Sequence, residues 1–271
     1  FPYLFRPMQS RLLFVADNGT NGFELWSTDG TTAGTQLVRD INPGPNTSSP
    51  FNFVRFGNQW VFNAVTAAEG QELWITDGTT AGTNLIRDIR VGSNGSGPYA
   101  NVVVGSTMFF LADDGIHGYE WWKTDGTNAG TSLVADLEPG TGGPILYGVG
   151  IATANKLYFV AQNTAEGIEL YESDGTQAGT LVVSNTMPGP NSGASPQSPF
   201  LYVAQSRLLF AGVTGAAGTE PYAFAVTLPA TGGTTKGGCA TLPDDTTTGW
   251  LSLAALCLVA FAGVRRSRTA W

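Results

Sequence analysis

The chain has 271 residues, of which 13% are charged and 36 are glycine, and its formal net charge is −8. Residues 1–227 carry nine Lys and Arg against nineteen Asp and Glu, and a surface of that sign repels phosphate backbones, which excludes nucleic acid as a partner. Both cysteines, Cys239 and Cys257, lie beyond residue 227, so no disulfide framework holds the preceding part together.

The sequence opens at Phe1 without a Met or a secretory signal, and the expectation is that the chain is the C-terminal part of a longer exported protein. One unit then recurs about every 48 residues: Glu24-Leu25-Trp26-Ser27-Thr28-Asp29-Gly30-Thr31, again from Glu72 through Trp74 to Asp77-Gly78-Thr79, and again from Glu120 through Trp122 to Asp125-Gly126-Thr127. A fourth copy runs from Glu169 through Tyr171 to Asp174-Gly175-Thr176, and a degenerate fifth keeps Glu220 and Tyr222. Ala-Gly-Thr follows each of the first four, as at Ala33-Gly34-Thr35, and a Pro/Gly/Asn/Ser-rich loop closes each of those units.

Each unit reads as four short strands rich in Val, Phe, Leu and Trp and bounded by Gly, Asn or Pro; in the second they are expected near 51–56, 60–65, 71–76 and 83–89. No helical apolar rhythm is sustained before position 249. The period and strand count predict an all-β fold, a β-propeller of about five visible four-stranded blades over residues 1–226, the last stopping near Val226 after three strands. Either further blades lie upstream or Phe1–Arg6 and segment 200–226 close the ring; a solenoid of stacked sheets is the alternative.

In Asp-Gly-Thr-x-Ala-Gly-Thr the glycine after Asp supplies the positive φ of a tight turn, and the carboxylate accepts backbone N–H groups two or three residues on. The device is similar in design to the Asp-box hairpins of sialidase-type propellers, where it is remote from catalysis. The recurring string at 24–31 and 72–79, altered at 120–127 and 169–176, resembles the bacterial ELWxxDGT repeat proteins over residues 1–226. That resemblance implies a secreted or surface-exposed propeller-like domain and brings no established activity.

The recurring carboxylates Glu24, Glu72, Glu120, Glu169 and Glu220 invite a catalytic reading, but a residue present in every unit is more economically part of the unit, since catalysis needs an asymmetric pair. Asp29, Asp77, Asp125 and Asp174 each offer one carboxylate per turn, too few for a calcium loop. The aromatics Trp26, Trp74, Trp122 and Tyr171 either pack between blades or stack on sugars. His117 is the sole histidine and sits at a variable tip with no second nitrogen or sulfur ligand near it. No catalytic, cofactor or metal site is expected, and the chain reads as a non-enzyme; the competing expectation is a glycoside hydrolase or lyase using Asp113, Asp114 or Glu138.

Residues 227–249 form a polar Thr/Gly/Pro spacer. Residues 250–264 are uncharged and apolar, short for a transmembrane helix, and are followed at 265–271 by a basic tail in which Arg265, Arg266 and Arg268 mark the cytoplasmic side. Leu228-Pro229-Ala230-Thr231-Gly232 matches the LPxTG sortase string, though far from the apolar run; Gly237-Gly238-Cys239 resembles the myxobacterial type of C-terminal sorting signal. That resemblance implies a sorting protease and lipidation at Cys239, against the alternative of an idle thiol. The expected function is binding, adhesion or display at the cell surface, with a glycan or protein ligand and a membrane anchor; a purely structural envelope role is the other non-catalytic reading.

Overall fold

A computed structural model describes residues 1–184, 194, 201–204, 207–214 and 218–226. The chain divides into two compact units, Phe1–Ala230 and Thr231–Trp271. The second unit lies outside the described residues, and with it Gly237, Gly238, Cys239, the apolar run 250–264 and the arginines Arg265, Arg266 and Arg268.

The described part of the first unit is all-β, a propeller-like succession of antiparallel sheets in which each strand pairs with its neighbours in sequence. The first sheet holds β1 (Tyr3–Met8), β2 (Arg11–Asp17), β3 (Phe23–Thr28) and β4 (Gln36–Arg39). The second holds β5 (Phe51–Phe56), β6 (Gln59–Thr66), β7 (Gly70–Thr76) and β8 (Asn84–Leu85), and the third holds β9 (Tyr99–Val104), β10 (Thr107–Asp113), β11 (Tyr119–Thr124) and β12 (Ser132–Leu133). The fourth comprises β13 (Ile145–Ala152), β14 (Leu157–Asn163), β15 (Gly167–Ser173) and β16 (Leu181–Ser184). A fifth has three described strands, β17 (Leu201–Ala204), β18 (Arg207–Thr214) and β19 (Gly218–Ala225).

Side chains alternate across each strand, and both faces of the second, third and fourth sheets are used. On β6, Phe62 and Ala64 join Leu13, Val15 and Leu25 of the first sheet, while Val61 turns to Met108 and Phe110 of the third. On β10 and β11, Phe109, Leu111 and Trp121 meet Leu157, Phe159 and Tyr171 of the fourth sheet. Tyr158 and Leu170 meet Leu208 and Phe210 of the fifth. The core is therefore a series of four apolar layers between successive sheets, which is why the strands read as nearly continuous apolar runs.

The fourth strand is shorter than its sequence suggests. β8 ends at Leu85, and although Ile86 N still donates to Leu73 O at 2.9 Å, Arg90 N has turned away to a side chain, the carboxylate of Glu72. Beyond Ile86 the chain leaves the ladder, and it reaches that buried acceptor only at Arg90.

Candidate functional site

Antiparallel connectivity gives every sheet two ends. One end carries the hairpins between the first two strands and the Asp-Gly-Thr turns; the other carries the connections between second and third strands and the long loops that lead to the next unit.

The turn end is the same in four units. Asp29 Oδ1 accepts from Thr31 N at 3.0 Å and from Thr31 Oγ1 at 2.7 Å; Thr31 Oγ1 accepts from Gly34 N at 2.9 Å, and Thr35 Oγ1 donates to Thr31 O at 2.7 Å. The same bonds recur about Asp77, Asp125 and Asp174. The threonine hydroxyl and N–H hold Asp29, Asp125 and Asp174 below the ordinary carboxylate range. Gly30, at φ 91°, makes the turn. These aspartates are turn acceptors, and among the described residues no group of three or more His, Cys, Asp or Glu is arranged to hold a metal.

The glutamates lie at the other end, under the loops. Glu24 is wholly buried and accepts from Ile41 N at 3.0 Å, Asn42 N at 3.3 Å, Ser48 N at 3.0 Å and Ser48 Oγ at 2.5 Å. Glu72 repeats this with Arg90 N, Ser96 N and Ser96 Oγ. Each is thus a latch that gathers N–H donors from the loop folded over it. In the third unit Gly142 and Gly143 precede Pro144 where the first two have a serine, and Glu120 takes only Leu137 N and Glu138 N, its Oε2 buried without a partner. Burial raises Glu24, pushes Glu72 up to about 7 and Glu120 to about 8. Glu169 is buried at the equivalent place.

The tryptophan series packs between sheets. Trp74, Trp122 and Tyr171 are buried, whereas Trp26 is half-buried and donates Nε1 to Ala16 O at 3.0 Å. Arg39 reaches from the first sheet over Trp74, 5.5 Å from its centroid, and donates to Thr83 O at 2.5 Å. Arg87 does the same to Trp122 and Thr131 O of the third sheet. In the next unit Ala135 stands where the arginine would be and Tyr171 where the tryptophan would be.

The loop end varies in side chains over a constant latch. Asp114 accepts from Ile116 N, His117 N and His117 Nδ1, the last at 2.7 Å. Burial alone pushes the Asp114 carboxyl up, but those donors outweigh it and hold it low, while the bond to Asp114 raises His117. Asp113 accepts from Arg90 Nη1 and Gly115 N, both at 2.7 Å, and Glu138 from Thr164 N and Thr164 Oγ1. Each of the acids named in the hydrolase reading, Asp113, Asp114 or Glu138, accepts hydrogen bonds from this loop end.

Exposed apolar surface concentrates at this end. Tyr3, Phe51 and Tyr99, 40%, 39% and 44% exposed, begin the first strands of three sheets; Tyr119, also exposed, begins β11, and Ile116 is exposed on the β10–β11 connection. Tyr3 meets Phe23 edge to face at 5.7 Å and Tyr99 meets Tyr119 in the same way at 5.4 Å. This row is absent from the sequence-based expectation, although its signal is the same one that revealed the repeat: aromatics at 3, 51, 99 and 147, forty-eight residues apart.

The sheets and this end define a class, a propeller-like all-β repeat domain with one end that repeats from unit to unit and one that varies. No family model and no curated protein matches the sequence. Among solved structures, puromycin hydrolase is 14% identical with a TM-score of 0.45, covering 83% of this chain and 35% of its own. Oligopeptidase B from Leishmania major is 12% identical at a TM-score of 0.43, covering 83% and 32%. The β-propeller domain of the trilobed protease from Pyrococcus furiosus, described as having an open Velcro topology, is 11% identical at 0.39, covering 82% and 68%. The chain spans about a third of the length of puromycin hydrolase.

The chain reads from its repeats as a non-enzyme, yet the solved structures it resembles are those of hydrolases and peptidases, so a repeat array of this kind does not mark a non-enzyme. At such identities the likeness concerns the fold alone.

Proposed function

We propose that the chain is a β-propeller repeat domain held at a cell surface, where its loop end acts as a binding, adhesion or display module. The observation that carries this reading is the contrast between the two ends. The turn end repeats one bonding pattern four times, whereas the connection between second and third strands changes from Asn18–Gly22 to Ala67–Glu69 to Asp114–Gly118 over glutamate latches that stay in place. Fixed sheets with varying loops are what a binding surface requires.

Four complete sheets and a fifth with three described strands fit an array of five blades, closed within the chain or continued by further repeats. Under the same reading, residues 250–264 cross the membrane with Arg265, Arg266 and Arg268 on the cytoplasmic side, and a sorting protease acts at Cys239. Lipid attached there needs more than one acyl chain to hold the domain.

The test is retention of the purified full chain on a glycan array and on isolated cell surfaces, with the 113–118 connection exchanged for that of the second unit. Retention that changes with the exchanged loop supports the reading; failure to bind either surface removes it. For the tail, intact mass of the protein from its host decides: an unmodified chain ending at Trp271 rules out processing at Cys239.

A further inference from the structure

The exposed rings of the loop end share a backbone feature that the buried tryptophans lack. Tyr3, Phe51 and Tyr99 are each followed by a residue in the left-handed region, Leu4 at φ 53°, Asn52 at 54° and Ala100 at 56°, and none of the three is glycine. In each unit the pairing of the first two strands slips close to this point, between Tyr3 and Arg6, Phe51 and Val54, and Phe109 and Leu111. A Cβ disfavours that conformation, so its recurrence three times over marks a geometry the sheets impose, and a bulge is a means of re-aiming a side chain.

Two of the rings are braced as well as exposed. Phe23 backs Tyr3 and Tyr119 backs Tyr99, both at an interplanar angle of 69°, which reduces the rotamer freedom lost when a ligand docks. β9 packs beside β5 and β13, and Arg6 of β1 lies over the Phe53 ring of β5, 5.7 Å from its centroid, so the first strands of these sheets lie side by side. One ring per sheet at a sheet spacing of about 10 Å suits a ligand that is long, repeating and flat-faced, and the C–H faces of pyranose rings in an extended chain have that character. The same end carries Asp17, Glu69, Asp113, Asp114 and Glu138, while Arg90 is already paired with Asp113. Anionic chains are therefore repelled.

We propose that Tyr3, Phe51 and Tyr99 form a stacking platform for an extended neutral polysaccharide. The proposal rests on the reading of the domain as a surface-binding module and gives that module its ligand class. The test is co-sedimentation of the purified full chain with cellulose, chitin, curdlan and mannan, with alginate and heparin as anionic comparisons and isolated cell surfaces as a separate arm. Retention on a neutral polysaccharide is expected, weakened about tenfold by Tyr99→Ala and further by the Tyr3→Ala/Phe51→Ala/Tyr99→Ala triple variant. Tyr99→Leu, which keeps apolar bulk at the β9 position without the ring, should weaken retention as Tyr99→Ala does, with the thermal midpoint unchanged. Retention on neutral polysaccharide that ignores all these variants, or retention on the anionic chains alone, overturns the platform. Binding to cell surfaces with none to the neutral polysaccharides also overturns the platform but leaves the surface-binding reading standing, and binding to nothing removes both.

Discussion

The carboxylate of Asp77 occupies the space into which a side chain on Gly82 would grow: a β-carbon there would stand 2.0 Å from Asp77 Oδ1. The same holds for Asp29 with Gly34, Asp125 with Gly130 and Asp174 with Gly179. This accounts for the second glycine of every repeat. Gly82→Ala must push Asp77 off Thr79, so it should destabilise by about as much as Asp77→Ala, on the order of 1 kcal/mol. The double variant should cost no more than either single one, because both break the same bonds. Denaturant midpoints of the three variants check this, and strict additivity would show that the two residues act independently.

The buried glutamates give stability a pH dependence of defined sign. Burial pushes Glu120 to about 8 and Glu72 to about 7, against an ordinary value of 4.5, so the folded chain holds protons that the unfolded chain releases. Stability from this source is full below the unfolded value and is lost as pH rises through the folded ones. The unfolding midpoint should fall by on the order of 5 °C between pH 5 and 9. His117, raised by Asp114, acts in the same direction, and the Glu72→Gln/Glu120→Gln double variant separates the two by removing the shares of those glutamates alone. A midpoint that climbs over this range would mean that the latches are ionised in the fold.

Arg87 and Trp122 form one clamp between the second and third sheets. Removing the guanidinium with Arg87→Ala costs its contact with the ring and its bond to Thr131 O, about 1–2 kcal/mol together. In a double-mutant cycle with Trp122→Leu, the coupling should be about 0.5–1 kcal/mol. A coupling indistinguishable from zero would place the arginine's contribution elsewhere.

Ala100 holds φ 56° without being glycine. Ala100→Gly should therefore leave stability unchanged or raise it by about 0.5–1 kcal/mol, where Gly at an ordinary strand position would lower it by a similar amount. Chemical denaturation of the single variant distinguishes the two signs.

Much of the architecture is legible in the sequence because it is local and repeated. The strands expected at 51–56, 60–65 and 71–76 correspond to β5, β6 and β7, since short apolar runs between turn residues have few other solutions. The Asp-Gly-Thr turns are legible for the same reason: donor and acceptor lie two or three residues apart. The bond from Arg90 N to Glu72 is not legible in that way, because donor and acceptor are eighteen residues apart and no local pattern reports such a distance.

The sequence by itself thus determines the repeat, the strands, the turns and the sign of the surface charge, all of which follow from composition and near-neighbour chemistry. Tertiary structure alone decides which aromatics face water. Trp74 and Tyr99 are equally periodic, but Trp74 is mid-strand, where sheets pack against both faces, whereas Tyr99 begins a strand at the open end of the sheet interface. Tertiary structure likewise decides that the recurring glutamates serve as buried latches, because a carboxylate acquires that role only when a loop some twenty residues away folds over it and brings its N–H groups.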